Sequence, residues 1–298
     1  VQPNNLQWAN FISFIPVKDS LNLIVVRLAM ALYNGCIIEV KRTAMQLQVL
    51  GCSGGIGGAL RTSSFLVDDD ILLDAGTGIG DLSIAQLANI DHVFLTHSHI
   101  DHILGIPLIA DTVQGLRNKP IYIYALAETI ASIKQHLFNW VIWPDFTELP
   151  SKAAPCVQFI SVTAGQSIQL GSRRVTALPV DHAVPAIGYL LDSGDGALVY
   201  SGDTTSHAPF WQAINQANQL KYLIIETSFV DHEEDRAREA KHYNPKMLCG
   251  DLALLNSQPD VYITHLKPDQ ESVIMREFDQ HAPRHRISQL AHGSIFRF

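Results

Sequence analysis

The stretch Thr96-His97-Ser98-His99-Ile100-Asp101-His102-Ile103-Leu104-Gly105 decides how this chain is read, because it places His97, His99, Asp101 and His102 within six residues. These side chains sit at i, i+2, i+4 and i+5, a spacing that matches neither one face of a helix nor one face of a strand. The pattern predicts that they fan out from a loop. On the amino side, His92–Thr96 reads HVFLT, a short β-branched and aromatic run of the kind that forms a buried strand. On the carboxyl side, Ile103–Val113 carries apolar residues at helical spacing. Strand, ligand-bearing loop, helix is how an α/β protein presents reactive groups at the carboxyl end of a strand. Imidazoles suit zinc, and an added carboxylate points to hydrolysis rather than to a closed structural cysteine site.

Working outward, Gln46–Leu50, Ser63–Val67 and Ile71–Leu73 read as strands. Between the first two, Gly51–Gly58 (GCSGGIGG) lacks the Lys-Ser/Thr of a phosphate-binding loop and does not fit GxGxxG. It predicts instead a backbone that approaches the site closely. Asp74 is either a carboxylate that orients a ligand or an ordinary turn aspartate. A helix is expected over Ile79–Leu87, a strand over Ile121–Tyr124 and a helix over Leu126–Phe138. The aromatic segment Asn139–Pro150 (NWVIWPDFTELP) is expected to cover the pocket, unless its rings bury themselves under a long loop.

Farther along, strands over Val157–Val162 and Val175–Val180 lead to Asp181-His182. Those over Ala186–Leu191 and Ala197–Tyr200 run into Ser201-Gly202-Asp203-Thr204, and those over Lys221–Glu226 and Asp260–Thr264 lead to His265. Helices are expected near Phe210–Ala217, Pro245–Leu255 and Pro268–Phe278. This order predicts an α/β (α+β) fold of two sheets flanked by helices.

With 298 residues, 47% of them hydrophobic, the chain can bury one large core, taken here as a catalytic domain over 45–298. Residues 1–44 show no clean period and read as an extension outside it. Their apolar part, Leu21–Leu32, is broken by Asn22 and Arg27 and is too short for a bilayer span or a secretory core. Charged residues make up 17%, below the usual quarter, which leaves room for a homodimer interface. A net charge of −8, with no Lys/Arg cluster longer than Arg173-Arg174, argues against a non-specific nucleic-acid binder. Cys36, Cys52, Cys156 and Cys249 are scattered without a CxxC pair, as expected for free thiols in the cytoplasm.

HSHIDH resembles the HxHxDH motif of the metallo-β-lactamase-fold hydrolases. The resemblance implies a four-layer αββα sandwich of two mixed sheets, and it implies ligands for two divalent metal ions: Zn2+, or alternatively Mn2+ or Fe2+. His97, His99 and His182 would hold one ion and Asp101, His102 and His265 the other, with Asp203 bridging them. His207 and His292 could also approach such a site; His92, His136, His232, His281 and His285 have no supporting context.

Several stretches between the ligands narrow the likeness. Phe138-Asn139, Ile142-Trp143-Pro144, Ile225-Glu226-Thr227-Ser228-Phe229, His242 with Pro245, and Thr264-His265-Leu266-Lys267-Pro268 together resemble the class II 3′,5′-cyclic-nucleotide phosphodiesterases, from about Leu47 onward. Where that group carries Ser-Gly-His-Leu-Thr-Pro, this chain has Ala240-Lys241-His242-Tyr243-Asn244-Pro245. The resemblance implies hydrolysis of cyclic AMP or cyclic GMP to a nucleoside 5′-monophosphate by a metal-bound hydroxide. Asp101 and His242 would be the catalytic side chains, and the partner a small cyclic nucleotide rather than nucleic acid or membrane. The competing expectations are a tRNA 3′-processing ribonuclease, another hydrolase of the same fold, and a metal-binding relative without catalysis.

Overall fold

In the computed structural model, residues 44–281 and 283–298 are described, and the extension expected over 1–44 therefore lies, except for its last residue, outside them. All described residues belong to one compact unit of the chain. In chain order the strands are β1 (Gln46–Gly51), β2 (Ser64–Val67), β3 (Ile71–Ala75), β4 (His92–Phe94), β5 (Ile121–Ala125), the hairpin β6 (Pro150–Ser151) and β7 (Ala154–Pro155), β8 (Val157–Ser161), β9 (Ser167–Leu170), β10 (Arg173–Pro179), β11 (Ile187–Asp192), β12 (Ala197–Tyr200), β13 (Leu220–Glu226), β14 (Asp260–Thr264), β15 (Ile287–Gln289) and β16 (Ile295–Arg297). The helices are α1 (Ile84–Asn89), α2 (Ile100–Ile103), α3 (Gly105–Val113), α4 (Ala127–His136), α5 (Ala208–Ile214), α6 (Glu234–Ala240), α7 (Pro245–Leu252) and α8 (Glu271–His281).

The strands form two seven-stranded sheets, ordered β16-β1-β2-β3-β4-β5-β8 and β15-β14-β13-β12-β11-β10-β9. Each sheet is mixed. In the first, β1, β2 and β3 pair antiparallel, and β3, β4, β5 and β8 parallel. In the second, β9 to β12 are antiparallel, and β12 to β15 parallel.

Alternation along the strands places side chains on opposite faces, and both faces are covered. Between the sheets, Leu47, Phe65, Leu73 and Phe94 meet Ala177, Tyr189, Leu198 and Ile224. Outward, Leu72 and Val93 pack beneath Ile106 and Ile109 of α3 and Ile133 of α4. On the other side, Val199, Leu223 and Val261 pack with Trp211 of α5, Leu248 of α7 and Phe278 of α8. Each fully buried Val, Leu or Phe contributes about 1.5–3 kcal/mol, so these three layers of contact dominate the cohesion of the fold. The expected αββα sandwich is the architecture found. No helix among the described residues is long and apolar enough to cross a membrane.

Three expectations need correction. The helix expected over Ile79–Leu87 is split into a tight 3₁₀ turn at Thr77–Asp81 and α1, because the Ser83 side chain and Gln86 form a capping box that restarts the helix. The ligand motif is not wholly a loop: His99 is extended at the N-cap, and Asp101 and His102 stand on α2, where an acidic residue in the first turn suits the helix dipole.

The third concerns Asn139–Pro150. Helix α4 leaves the carboxyl end of β5 and returns the chain to the start of the parallel strand β8, so the segment lies at the amino ends of these strands. Phe138 and Phe146 are buried against each other, Phe138 also meets Phe159, and Trp143 packs on the same core. The segment therefore supports the fold and does not cover the site described next, which gathers at the carboxyl ends.

Candidate metal centre

Seven side chains singled out by the sequence converge where β4, β10, β12 and β14 end. His97 and His99 follow β4, His182 follows β10, Asp203 follows β12, and His265 follows β14. The backbone is strained where it must turn sharply: Asp74 (φ 52°), Lys241 (φ 54°) and His265 (φ 60°) are left-handed without being glycine, a placement typical of functional sites. Gly202, just before Asp203, is left-handed too, and a Cβ there would come within 2.8 Å of Thr96. Only glycine fits both demands.

One ligand-type atom from each of His97, His99, His182 and Asp203 lies within 4.8 Å of the others, and the same holds for Asp101, His102 and His265. Asp203 stands between the two groups: Oδ2 is 3.8 Å from His97 Nε2, 3.9 Å from His182 Nε2 and 3.3 Å from His265 Nε2, while Oδ1 is 3.4 Å from His102 Nε2. Asp101 Oδ2 lies 3.2 Å from His265 Nε2 and 3.6 Å from His102 Nε2. His99 and Asp101 are partly exposed; the others are buried.

The ring nitrogens facing away from the centre have partners that fix the tautomers. His102 Nδ1–H donates to Asp74 Oδ2 at 2.7 Å, and Asp74 also accepts from Thr96 N–H and, at 2.8 Å, from the Tyr200 hydroxyl. Thr96 Oγ1 donates to Asp74 and accepts from His97 Nδ1–H at 2.9 Å. His182 Nδ1–H donates to the Lys241 carbonyl at 3.1 Å, and His265 Nδ1–H to Ser228 Oγ at 2.9 Å. Each of these four rings thereby turns its Nε2 inward, the arrangement that orients metal-binding histidines. Of the two readings open for Asp74, the geometry selects the orienting carboxylate.

The electrostatics agree with a cation site. Burial pushes the pKa of His97 well down, and burial also lowers those of His99 and His182, so these rings are neutral donors. At His102 burial works against the charged form, but the carboxylates of Asp203 and Asp74 outweigh it and push the pKa well up. Burial likewise opposes ionisation of Asp101, yet the His265 hydrogen bond and nearby imidazole charge pull it down to about 2. His97 Nε2 and His102 Nε2 are buried without a hydrogen-bond partner among the described residues. Buried polar atoms are rarely left so, and a divalent cation satisfies lone pairs of this kind. The donor set of imidazoles and carboxylates fits zinc, manganese or iron(II).

His242 reaches the centre by a different route. Helix α6 ends on left-handed Lys241, His242 N–H bonds back to the Ala237 carbonyl, and Asn244 then caps α7. This turn stacks the His242 ring on His265 at 5.5 Å, and a His242 nitrogen falls within 4.8 Å of ligand atoms of Asp203 and His265. Its Nδ1 is 2.7 Å from Glu226 Oε1. Burial disfavours the imidazolium, but the charge and hydrogen bond of Glu226 prevail and raise its pKa.

The glycine-rich run lies against the same centre, since a Cβ on Gly54 would come within 2.6 Å of the His265 carbonyl oxygen. Glu226, Ser228, Thr96 and Tyr200 are contributors that motif reading does not single out individually. The available signal is Glu226 itself, a carboxylate closing the apolar run Leu223–Ile225, which cannot be buried there without partners. His207 and His292 belong to neither cluster; His292 faces Asp81 at 3.4 Å.

Comparison with known proteins agrees with the fold and the motif. A protein of Yersinia pestis named as a probable 3′,5′-cyclic-nucleotide phosphodiesterase is 26% identical over 91% of this chain and 94% of its own length. Ribonuclease Z of Pyrococcus abyssi (strain GE5 / Orsay) is 34% identical, but over 42% of this chain and 39% of its own. Among solved structures, unliganded yeast PDE1 aligns with a TM-score of 0.72 at 19% identity, covering 86% of this chain and 100% of that one. The family described as the beta-lactamase superfamily domain matches residues 70–266, a span that holds every candidate ligand described above. The chain is thus a member of the beta-lactamase superfamily, built on the metallo-β-lactamase hydrolase fold.

Proposed function

We propose that this hydrolase is a dinuclear metal-dependent phosphodiesterase that converts 3′,5′-cyclic nucleotides to nucleoside 5′-monophosphates, with 45–298 as its catalytic domain. The observation that carries the reading is His242, held by buried Glu226 beside Asp203 and His265 yet outside the two ligand sets already counted. The Yersinia pestis relative, similar over nearly its whole length, supports the same direction.

In this reading His97, His99 and His182 hold one divalent ion and Asp101, His102 and His265 the other, with Asp203 shared. Bound there, two such ions supply Lewis acidity toward phosphoryl oxygens and lower the pKa of water toward neutrality. Asp101, the partly exposed carboxylate of the set, takes a proton from the attacking water. His242, kept charged and oriented by Glu226, delivers a proton to the departing 3′ oxygen, an ordinary task for imidazole. Free thiols at Cys52, Cys156 and Cys249 fit a cytoplasmic setting.

A second reading, RNA 3′-end cleavage, is favoured by the partial likeness to Ribonuclease Z. The two separate when the full chain, loaded with zinc, is given 3′,5′-cyclic AMP, 3′,5′-cyclic GMP and a precursor tRNA. The proposal predicts nucleoside 5′-monophosphate from at least one cyclic nucleotide. Cleavage of the precursor tRNA with no turnover of either cyclic nucleotide would overturn it.

A further inference from the structure

The candidate centre is crowded with carboxylates. Asp74, Asp101, Asp203 and Glu226 all lie within or directly behind it, in a chain of net charge −8. A phosphodiester is itself an anion, so it profits from a protein cation beside the reacting groups. Two lysines border the centre, and they differ. Lys241 is committed, its Nζ lying 2.7 Å from Asp181 Oδ1. Lys267, two residues beyond His265, pairs with no carboxylate and makes no side-chain hydrogen bond among the described residues; its Nζ sits over the Phe229 ring, 5.8 Å from the centroid.

That ring is itself 5.8 Å from the ring of His242. Arg236 also lies over Phe229, at 5.7 Å, but is neutralised by Glu233 at 2.7 Å. The root of Lys267 is fixed: Gly54 N–H bonds to the Leu266 carbonyl at 2.9 Å, and a Cβ on Gly55 would come 2.9 Å from Pro268 Cγ. A pinned backbone with a loosely held ammonium resting on an aromatic face leaves the three N–H donors available.

We propose that Lys267 is the anion-contact residue of this site, binding a non-bridging oxygen of a phosphoryl group held beside His265 and His242. The inference rests on the phosphodiesterase reading and deepens it, because such a contact selects an anionic phosphoryl substrate over a neutral acyl one. The ammonium acts as a point charge with rotatable donors, so Arg keeps the charge but changes the donor geometry, whereas Ala or Gln removes the contact.

The test is calorimetric titration of inorganic phosphate into the zinc-loaded full chain, for the wild type, Lys267→Ala, Lys267→Gln and Lys267→Arg, with metal content and melting temperature recorded for each. Loss of one charged hydrogen bond predicts a weakening of about tenfold or more for Lys267→Ala and Lys267→Gln. Lys267→Arg, which keeps the charge, should weaken binding less than either, with metal content unchanged in all. KM for bis(p-nitrophenyl) phosphate should rise in step. Failure of the wild type to bind phosphate, or equal affinity in wild type and Lys267→Gln, overturns the role of Lys267. Weakened phosphate binding in a protein whose wild type hydrolyses no diester leaves Lys267 standing and removes the phosphodiesterase reading instead.

Discussion

The two sheets contribute to the centre in different ways. The first sheet delivers four candidate ligands from one continuous stretch, and its buried carboxylate Asp74 orients both His102 directly and His97 through Thr96. The second sheet delivers its groups singly, from three separate strand ends, and gives each ring its own anchor: Lys241 for His182, Ser228 for His265, Glu226 for His242. The first half is therefore expected to fail as a unit and the second piece by piece. Several contacts join the halves at the centre: Asp203 faces rings from both, the Tyr200 hydroxyl crosses to Asp74, and His265 Nε2 lies 3.2 Å from Asp101 Oδ2.

Asp203→Asn should have the largest effect, because it weakens both ligand groups together. Metal affinity should fall by more than about 100-fold, beyond the usual range for groups that merely orient a ligand. Two metal ions retained at wild-type affinity, measured by chelator competition, would break the picture of a shared carboxylate. Next comes His242→Ala, which should keep its metal yet lower kcat on a cyclic nucleotide by about 10²- to 10⁴-fold, the range for a lost general acid. The loss should be smaller with a p-nitrophenolate leaving group, which departs without a proton. Loss of metal in this variant would instead place His242 among the ligands.

How much of this was legible follows from how the residues are spread along the chain. HSHIDH is readable because its ligands are contiguous and flanked by a strand and a helix. His182, Asp203 and His265 stand alone in sequence and gain meaning from the family resemblance. Glu226 and Ser228 lie in a stretch that carries the resemblance but have no individual role legible there, since their importance lies in a hydrogen-bond network that only the fold assembles. The left-handed turn at Lys241 that aims His242 is likewise absent from any residue pattern, lysine being an unusual choice for that conformation. The aromatic segment misleads for a topological reason: composition does not say at which end of a sheet a loop lies, whereas the return of the chain through α4 does.

The contrast between the halves is sharpened by a pair of variants. Asp74→Asn should approach a 100-fold loss of metal affinity, whereas Ser228→Ala, which frees only one ring, should lie nearer tenfold, both within the range of about 10- to 100-fold for ligand-orienting groups. Equal losses would mean that the buried carboxylate does not couple His97 to His102. The smallest effect on chemistry is expected from Trp143→Ala, at the far end of the strands. It should cost up to about 3 kcal/mol of stability, as partial removal of a packed aromatic does, with KM for cyclic nucleotides unchanged. A raised KM at full metal content would put the aromatic segment back at the site.

The most direct measurement is metal content and activity on the same preparation of the full chain, purified without chelator. Metal analysis should give about two transition-metal ions per chain, as in two-metal hydrolases. Hydrolysis of bis(p-nitrophenyl) phosphate should vanish with chelator and return when zinc is added. A protein that binds no metal, takes up none on zinc titration and hydrolyses the diester equally well in chelator would contradict the central claim.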